Sequence, residues 1–429
     1  MDKGIKAPEL RFEGFCDSWK ESSIRELISF YEDKTTKEDE YPVLSSTMSG
    51  IFLQKDYFNN EVTTRSNVGY KIVPKGYITY RSMSDTDIFH FNVQDLIDKG
   101  IVSPAYPVFE TISGNVANFL TTYMNENSGF KRQIATNKEG GTRYALSGKK
   151  LASLSAIIPQ SPEQENIADF FCVFDDIISN LQKKLNRTKE FKAACLQSFF
   201  PKKGELIPAV RFSGFSGEWK KCKLEEFGTV QTCKRIFKEQ TTPKGEIPFF
   251  KNGTIGLEPD AFISRKIFEE YRELYPYPEI GDTLISVVGS IGRTAEYVGK
   301  EEYFQDSNVV WLKTNGSINK KFLKLSYQVI EWFIEGSTVK HLYNDNILKS
   351  EIVVPESQKE QEMIADYTNA VDMVNTRIKD SGEEGRKTYV ELGNKGIGEY
   401  GNSYTGCLWG SIIDNVGGIN IADSVLDPE

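Results

Sequence analysis

A mostly apolar series recurs at spacings of three and four through residues 162–200: Ile167, Phe170, Phe171, Phe174, Ile177, Ile178, Leu181, Leu185, Thr188, Phe191, Cys195 and Phe199. That period predicts a long amphipathic helix. Ser161 is expected to cap it, Pro162 to sit in its first turn and Pro201 to stop it. Nearly forty residues at ~1.5 Å each make a helix of roughly 55 Å. Its stripe, with basic residues on the outer face, reads as half of a coiled coil. A second stripe, Ile364, Tyr367, Val371, Val374 and Ile378, follows Pro355. Ser381-Gly-Glu-Glu-Gly385 then breaks the period, so this helix is expected to end near residue 380, truncated relative to the first.

Elsewhere the pattern is that of short strands between Gly, Pro and Asn punctuation. Examples are Tyr70–Val73, Gly76–Tyr80 and Ala156–Ile158 in the first half, with a helical stretch at Val116–Tyr123. The second half has Glu246–Phe250, Asp282–Val288 and Asn308–Leu312. Two α/β units separated by long helices follow from this alternation. The expected boundaries are 1–160 for the first unit, 161–205 for its helix, 206–354 for the second unit and 355–380 for the second helix. Residues 381–429 form a Gly-rich acidic tail, expected to be poorly ordered.

The two halves carry one frame twice. Pro8-Glu-Leu-Arg11-Phe12-Glu-Gly14-Phe15 with Trp19-Lys20 returns as Pro208-Ala-Val-Arg211-Phe212-Ser-Gly214-Phe215 with Trp219-Lys220. Pro159, Glu163-Gln164, Ile167-Ala168-Asp169 and Asp175 return as Pro355, Glu360-Gln361, Ile364-Ala365-Asp366 and Asp372. Between these markers the halves share almost nothing. Similar frames around dissimilar contents imply one scaffold holding two different readers.

Composition narrows the chemistry. The 429 residues carry a net charge of −9, of which the last 49 contribute −5. The remainder is near balance, with basic clusters at Lys131-Arg132, Lys149-Lys150, Lys183-Lys184, Lys220-Lys221 and Lys234-Arg235. A surface of mixed sign binds nucleic acid where the fold gathers such clusters on one side. Six scattered cysteines without a CxxC spacing read as free thiols. No apolar run is long enough to span a membrane. The start lacks the apolar stretch of a signal peptide, so a cytoplasmic location is expected. Two histidines, His90 and His341, offer poor support for a zinc site or a Ser-His-Asp triad. There is no P-loop, and no Asn/Asp-Pro-Pro-aromatic tetrapeptide of DNA amino-methyltransferases. Gly396-Ile-Gly398-Glu-Tyr-Gly401 matches a dinucleotide fingerprint formally but lacks the strand and helix that motif requires. The chain reads as a binder, with no metal site and no catalytic residue.

Polar loops after apolar strands are the candidate readers. In the first unit they offer Arg81, Ser82, Ser84, Tyr106, Lys138 and Arg143; in the second, Lys251, Asn252, Thr254, Ser290, Arg293, Lys340 and Asn344. Glycine lets the backbone approach a phosphate, Arg forks onto guanine, and Ser and Thr take phosphate or base edges.

The duplicated P-x-x-R-F-x-G-F…W-K frame, the Gly281-Asp-Thr-Leu-Ile-Ser286…Gly289-Ser-Ile-Gly-Arg293 pattern and the Pro…Glu-Gln-x-x-Ile-Ala-Asp helix starts resemble the specificity subunit of type I restriction-modification systems, over residues 8 to about 380. The resemblance implies two α/β target-recognition domains joined by two long antiparallel, coiled-coil helices in a pseudo-twofold arrangement. Each domain would read one half of a split site in double-stranded DNA, and the helices would fix the spacer. It further implies two modification subunits docking on the helices, with Ile167, Phe171, Phe174, Ile178, Leu181, Leu185, Ile364, Val371 and Val374 as the apolar positions involved. Restriction subunits complete the complex. S-adenosylmethionine, ATP and Mg would belong to those partners, with no cofactor on this chain. The shortened second helix is the departure from the pattern. It would leave Leu185–Phe199 with fewer neighbours, and it admits the alternative of a silent variant that fails to assemble.

Overall fold

A computed structural model describes residues 8, 10–57, 66–86, 88–138, 144–289, 291–305, 308–332 and 341–397. The chain divides into two units. Unit 1 comprises residues up to Lys183 together with those from Lys379, and unit 2 is Lys184–Ile378. Each unit therefore holds a piece of both long helices.

Unit 1 is built on a four-stranded antiparallel sheet in the order Ile28–Phe30, Val108–Thr111, Ile78–Tyr80, Phe91–Val93. These short strands are dense in aromatic and β-branched residues, which pack well on a pleated surface. Ile78, Tyr80, Phe91 and Phe109 share a core with Phe119, Leu120, Tyr123 and Met124 of the helix Ala117–Glu126 and with Phe130 of the helix Ser128–Asn137.

Unit 2 repeats that order with Gly228–Thr232, Val309–Thr314, Thr283–Ser286 and Thr294–Glu296. Its central strand is buried on both faces. Val310 and Leu312 join Trp219 and Phe322 on one side, while Val309 and Trp311 join Phe249, Phe268 and Tyr303 on the other. At Gly228 a β-carbon would lie 2.2 Å from the Lys313 carbonyl oxygen, so the close strand pairing there requires glycine.

The repeated frame proves to be a buried fastening. In unit 1 the Arg11 guanidinium donates to both oxygens of Glu163, at 2.7 and 2.6 Å, and to the Asp17 carbonyl at 2.8 Å. The Trp19 indole N–H donates to Glu163 at 3.2 Å. In unit 2 Arg211 donates to Glu360 at 2.7 and 2.8 Å and to the Gly217 carbonyl. Here the Trp219 indole N–H has no acceptor among the described residues. Bidentate pairing is what lets such charges be buried. The neighbouring glutamines match as well. Gln164 accepts from the Val116 amide and donates to the Pro159 carbonyl, and Gln361 does the same with Asn319 and Pro355. Lys20–Ser23 pairs antiparallel with Ser155–Ile158, as Lys220–Lys223 pairs with Glu351–Val354. The repeated Arg–Glu and Gln contacts thus join the segment before a unit's first strand and the start of its short helix to the start of a long helix.

The long helices are Ser161–Phe199 and Gln358–Gly396, 39 residues each. The first begins where the sequence places it, but Ser161 does not cap it. The Ser161 hydroxyl donates to the Gly114 carbonyl, and the first helical amides bond the Gln160 carbonyl. The expectation that the second helix ends near residue 380 is corrected: it continues for four further turns. Within unit 1 the Tyr389 ring packs at 5.0 Å from Phe171 and 6.4 Å from Phe174, and Leu392 and Ile397 are buried in the same core. The Asn127 amide donates to the Ile397 carbonyl. Gly385 lies beside Ile178, where even a β-carbon would make only ordinary van der Waals contact at 3.9 Å. Glycine costs a helix ~1 kcal/mol, which this packing exceeds. From residue 398 the tail lies outside the described residues.

The two helix segments run antiparallel within each unit, so the consequence expected for Leu185–Phe199 is also corrected. The end of the second helix faces the start of the first, whereas Leu196 and Phe199 pack in unit 2 beside Ile364 and Tyr367. Lys192 and Asp372 form an ion pair at 2.7 Å there.

Candidate nucleic-acid interface

Sheet register places the reading loops. In unit 1 the strand Ile28–Phe30 ends opposite Phe109, and Ile78–Tyr80 ends beside the start of Val108–Thr111. The segments after Phe30, after Tyr80 and before Val108 therefore leave one end of the sheet. In unit 2 Thr232 pairs with Val310 and Ser286 with Val309, so the segments after Thr232, after Ser286 and before Val309 share the corresponding end. The candidate loops chosen from sequence in the two halves, after Tyr80 and after Ser286, occupy the same topological position.

The unit 1 candidates form one cluster. Met83–Ser84 pairs with Tyr144–Ala145, bringing the 81–86 segment to residues 144–146. The buried Ser82 hydroxyl donates to the Ala105 carbonyl at 2.7 Å, tying in the 103–106 turn. Tyr80 donates to the Leu146 carbonyl at 2.9 Å. Arg81 is exposed, 3.9 Å from Asp85. Burial raises the Tyr106 phenol above its ordinary value, and the nearby Arg81 charge opposes that rise. Lys138 holds its ammonium 4.0 Å above the Tyr144 ring. Ser84 shares a hydrogen bond with Thr86 at 3.0 Å. Arg143 lies outside the described residues.

In unit 2 three loops are tied together. The turn after Ser286 closes through Gly292 N–H to the Ser286 carbonyl and Ser286 N–H to the Arg293 carbonyl, both 2.9 Å. Gly289 and Gly292 take φ of 68° and 79°, a left-handed backbone that favours glycine. The Asn252 amide donates to the Val288 carbonyl at 3.0 Å, and Arg293 donates to the Gly253 carbonyl at 3.0 Å. Val288 bridges to His341, and the Leu342 amide donates to the Val287 carbonyl. Lys251 pairs with Asp260 at 2.9 Å, and its amide donates to the Thr254 hydroxyl at 2.9 Å. Asn344 is exposed at the start of the helix Asn344–Lys349. Ser290 and Lys340 lie outside the described residues.

Several sequence candidates therefore shape the loops instead of presenting donors. Ser82, Asn252 and Thr254 bond backbone or neighbouring groups, because a short polar side chain near a tight turn meets the chain's own unpaired amides and carbonyls first. From the donor-bearing stretch 338–344 the sequence reading took Lys340 and Asn344 but passed over Tyr343, which is exposed and packs 4.4 Å from the His341 ring beside this cluster. It also missed the pairing of Arg11 with Glu163, whose only signal was that both recur in the repeat.

The structure places most of the expected partner stripe inside the chain's own packing. Ile167, Phe171, Phe174, Leu185 and Ile364 are buried within the chain, and Ile178, Leu181 and Val371 are half-buried; Val374 is exposed. An antiparallel helix pair buries its facing stripes against each other, leaving flanking positions for other proteins. The exposed apolar residues of the two helices are Val173, Phe191, Tyr367, Met373, Val374 and Val390. Among the described residues no helix is long and apolar enough to cross a membrane.

Two α/β units of one strand order, each fastened by the same buried Arg–Glu pair and each ending in different polar loops, define a duplicated recognition scaffold. Comparison with known proteins places it. The model of the type I restriction modification DNA specificity domain matches twice, over residues 17–190 and 216–384. These matches take in most of the chain, which belongs to that family. It is 44% identical over 145 residues to a putative type I restriction enzyme specificity subunit of Haemophilus influenzae, covering 33% of this chain and 38% of that protein's length. In fold it resembles the S subunit of a type I restriction-modification system from M. genitalium, with a TM-score of 0.59 at 14% identity over 91% of this chain and 98% of that one. A chain from a type I R-M system solved for its complex assembly and conformational transition matches at a TM-score of 0.50, 14% identity, over 90% and 98%.

Proposed function

We propose that this specificity subunit reads a bipartite site in double-stranded DNA, one half through the loop end of each unit. The observation that carries this is the equivalence of the two sheet ends: the same strands deliver loops of different composition to the same place. Arg81, Lys138 and Tyr106 serve one half-site, and Arg293, Lys251, Asn344 and Tyr343 the other. Arginine forks suit guanine edges, and the left-handed backbone at Gly289 and at Gly292 leaves room for a phosphate to approach. Each 39-residue helix is ~58 Å long, about 1.7 turns of B-DNA at ~34 Å per turn. The helices act as the spacer between half-sites.

The chain supplies no catalytic residue of its own. Two modification subunits dock on the exposed apolar positions of the helices, bringing S-adenosylmethionine and adenine N6-methylation. Restriction subunits add ATP- and Mg-dependent cleavage. The silent-variant alternative loses its structural motive, since the second helix continues to Gly396 and Leu392 and Ile397 are buried in unit 1. Methylome sequencing of cells expressing this chain with its modification subunit tests the reading. A split asymmetric motif carrying N6-methyladenine on both strands is expected. Soluble expression of both subunits without such a motif would overturn it.

A further inference from the structure

The segment after Thr232 belongs to the loop end of unit 2, yet none of the candidate residues lies in it. Thr232 donates to the Val309 carbonyl at 3.0 Å, and the Tyr303 hydroxyl donates to the Lys234 carbonyl at 3.1 Å. Two residues beyond Tyr303, the Gln305 side chain accepts from the Asn252 amide at 3.2 Å. One framework thus positions both this segment and the 251–254 loop. Cys233 and Ile236 are buried and pin the segment, while Lys234, Arg235, Phe237 and Lys238 are exposed. The Lys234 ammonium lies 4.7 Å from the Tyr275 ring. A solvated loop kept only for solubility needs no such anchoring.

The equivalent segment of unit 1 has the opposite character. Residues 31–40 carry five acidic and two basic side chains, a net of −3, whereas residues 233–242 carry three basic and one acidic, a net of +2. From this we infer that Lys234, Arg235 and Lys238 form a phosphate-contacting element which strengthens DNA binding by unit 2 and has no counterpart in unit 1. The inference rests on the DNA reading above. Lysine ammonium groups on an anchored, positively charged loop attract the DNA backbone without reading bases, so they add affinity and salt dependence but no sequence information.

The test uses the full chain assembled with its modification subunits, on a duplex bearing the motif found by methylome sequencing. Affinity is measured across a salt series. Lys234→Gln/Arg235→Gln/Lys238→Gln is expected to weaken binding at least tenfold at low salt. It should lower the slope of log affinity against log salt by about 0.9 for each phosphate no longer neutralised. Lys34→Gln/Lys37→Gln in unit 1 should stay within about twofold, the salt slope unchanged to within about one phosphate. Lys238→Gln alone, with Lys238→Arg restoring affinity, serves should the triple variant misfold. Unchanged affinity and slope in a folded variant, alongside specific binding by the parent, overturn this inference alone. A methylated motif altered in the unit 2 half would overturn the phosphate assignment. A parent complex that binds no specific site overturns both this inference and the reading beneath it.

Discussion

Unit 1 and unit 2 share a strand order and a buried Arg–Glu bond, but they differ at the helix position held by Asp175 in one and Asp372 in the other. Asp372 pairs with Lys192 of the first long helix. Asp175 instead meets Tyr389, with Glu126 nearby and Arg386 supplying partial compensation. The residue is exposed overall, yet partial desolvation of its carboxyl beside the second helix, and then Glu126, push it up to about 6. The second helix's divergent end thus docks where the repeat requires, using a phenol and apolar residues in place of an ion pair. Fold is preserved by the packing of Tyr389 on Phe171 and Phe174 beside this position, while charge chemistry is free to differ. The loop ends teach the same lesson: backbone topology is copied between the units, and side-chain content is not.

The strongest way to break this comparison is to end the chain after Asp380. That removes Tyr389, Leu392 and Ile397 from the unit 1 core. Large apolar side chains contribute ~1.5–3 kcal/mol each when buried, so a loss of about 5 kcal/mol is expected in unit 1 alone. Hydrogen exchange should rise sharply at Phe119–Ile134 and stay unchanged at Phe322–Tyr327. Equal protection in both segments would show that the added turns are incidental.

Next in size is the buried fastening. Arg11→Met strands the Glu163 carboxylate in the core, at a cost of about 3–5 kcal/mol. Arg211→Met should cost more, because Glu360 is as buried as Glu163, 1% against 3% exposed, and no Trp219 N–H remains to bond its carboxylate as Trp19 does for Glu163. Denaturant melts of the two variants measure the difference. Arg11→Met/Glu163→Met should recover most of the loss. Identical costs for both single variants would contradict the asymmetry.

The smallest effects are opposite in sign at the two aspartates. A carboxyl whose folded pKa exceeds its unfolded value binds its proton more tightly when folded. Asp175 therefore favours folding most below pH ~4 and progressively less as pH rises through ~6. Asp175→Asn should stabilise at pH 7, modestly because water reaches the group, and should be neutral near pH 4. Asp372→Asn should destabilise by about 0.5 kcal/mol through loss of the Lys192 pair. Thermal melts at both pH values read the signs directly.

Much of this framework was legible beforehand. The first long helix, the strands around Ile78–Tyr80 and Thr283–Ser286, and the recurrence of Arg11, Trp19 and Glu163 all follow from local pattern. What joins Arg11 to Glu163 does not, because the contact spans 152 positions and only folding brings the residues together. Gly382 and Gly385 carried the wrong message about the second helix, since their local propensity is outweighed by packing around Tyr389. Loop composition picked out the candidate loops. It could not separate Ser82 and Asn252, which hold the loops in shape, from exposed Arg81, because that distinction depends on which backbone groups lie within reach.

The division of labour between the units is tested most directly by comparing methylomes of the parent chain, Arg81→Ala and Arg293→Ala, each expressed with the modification subunit. The account predicts a split motif in the parent. Arg81→Ala should relax or lose only one half-site and Arg293→Ala only the other. Relaxation of the same half by both variants, or of both halves by either one, would contradict it.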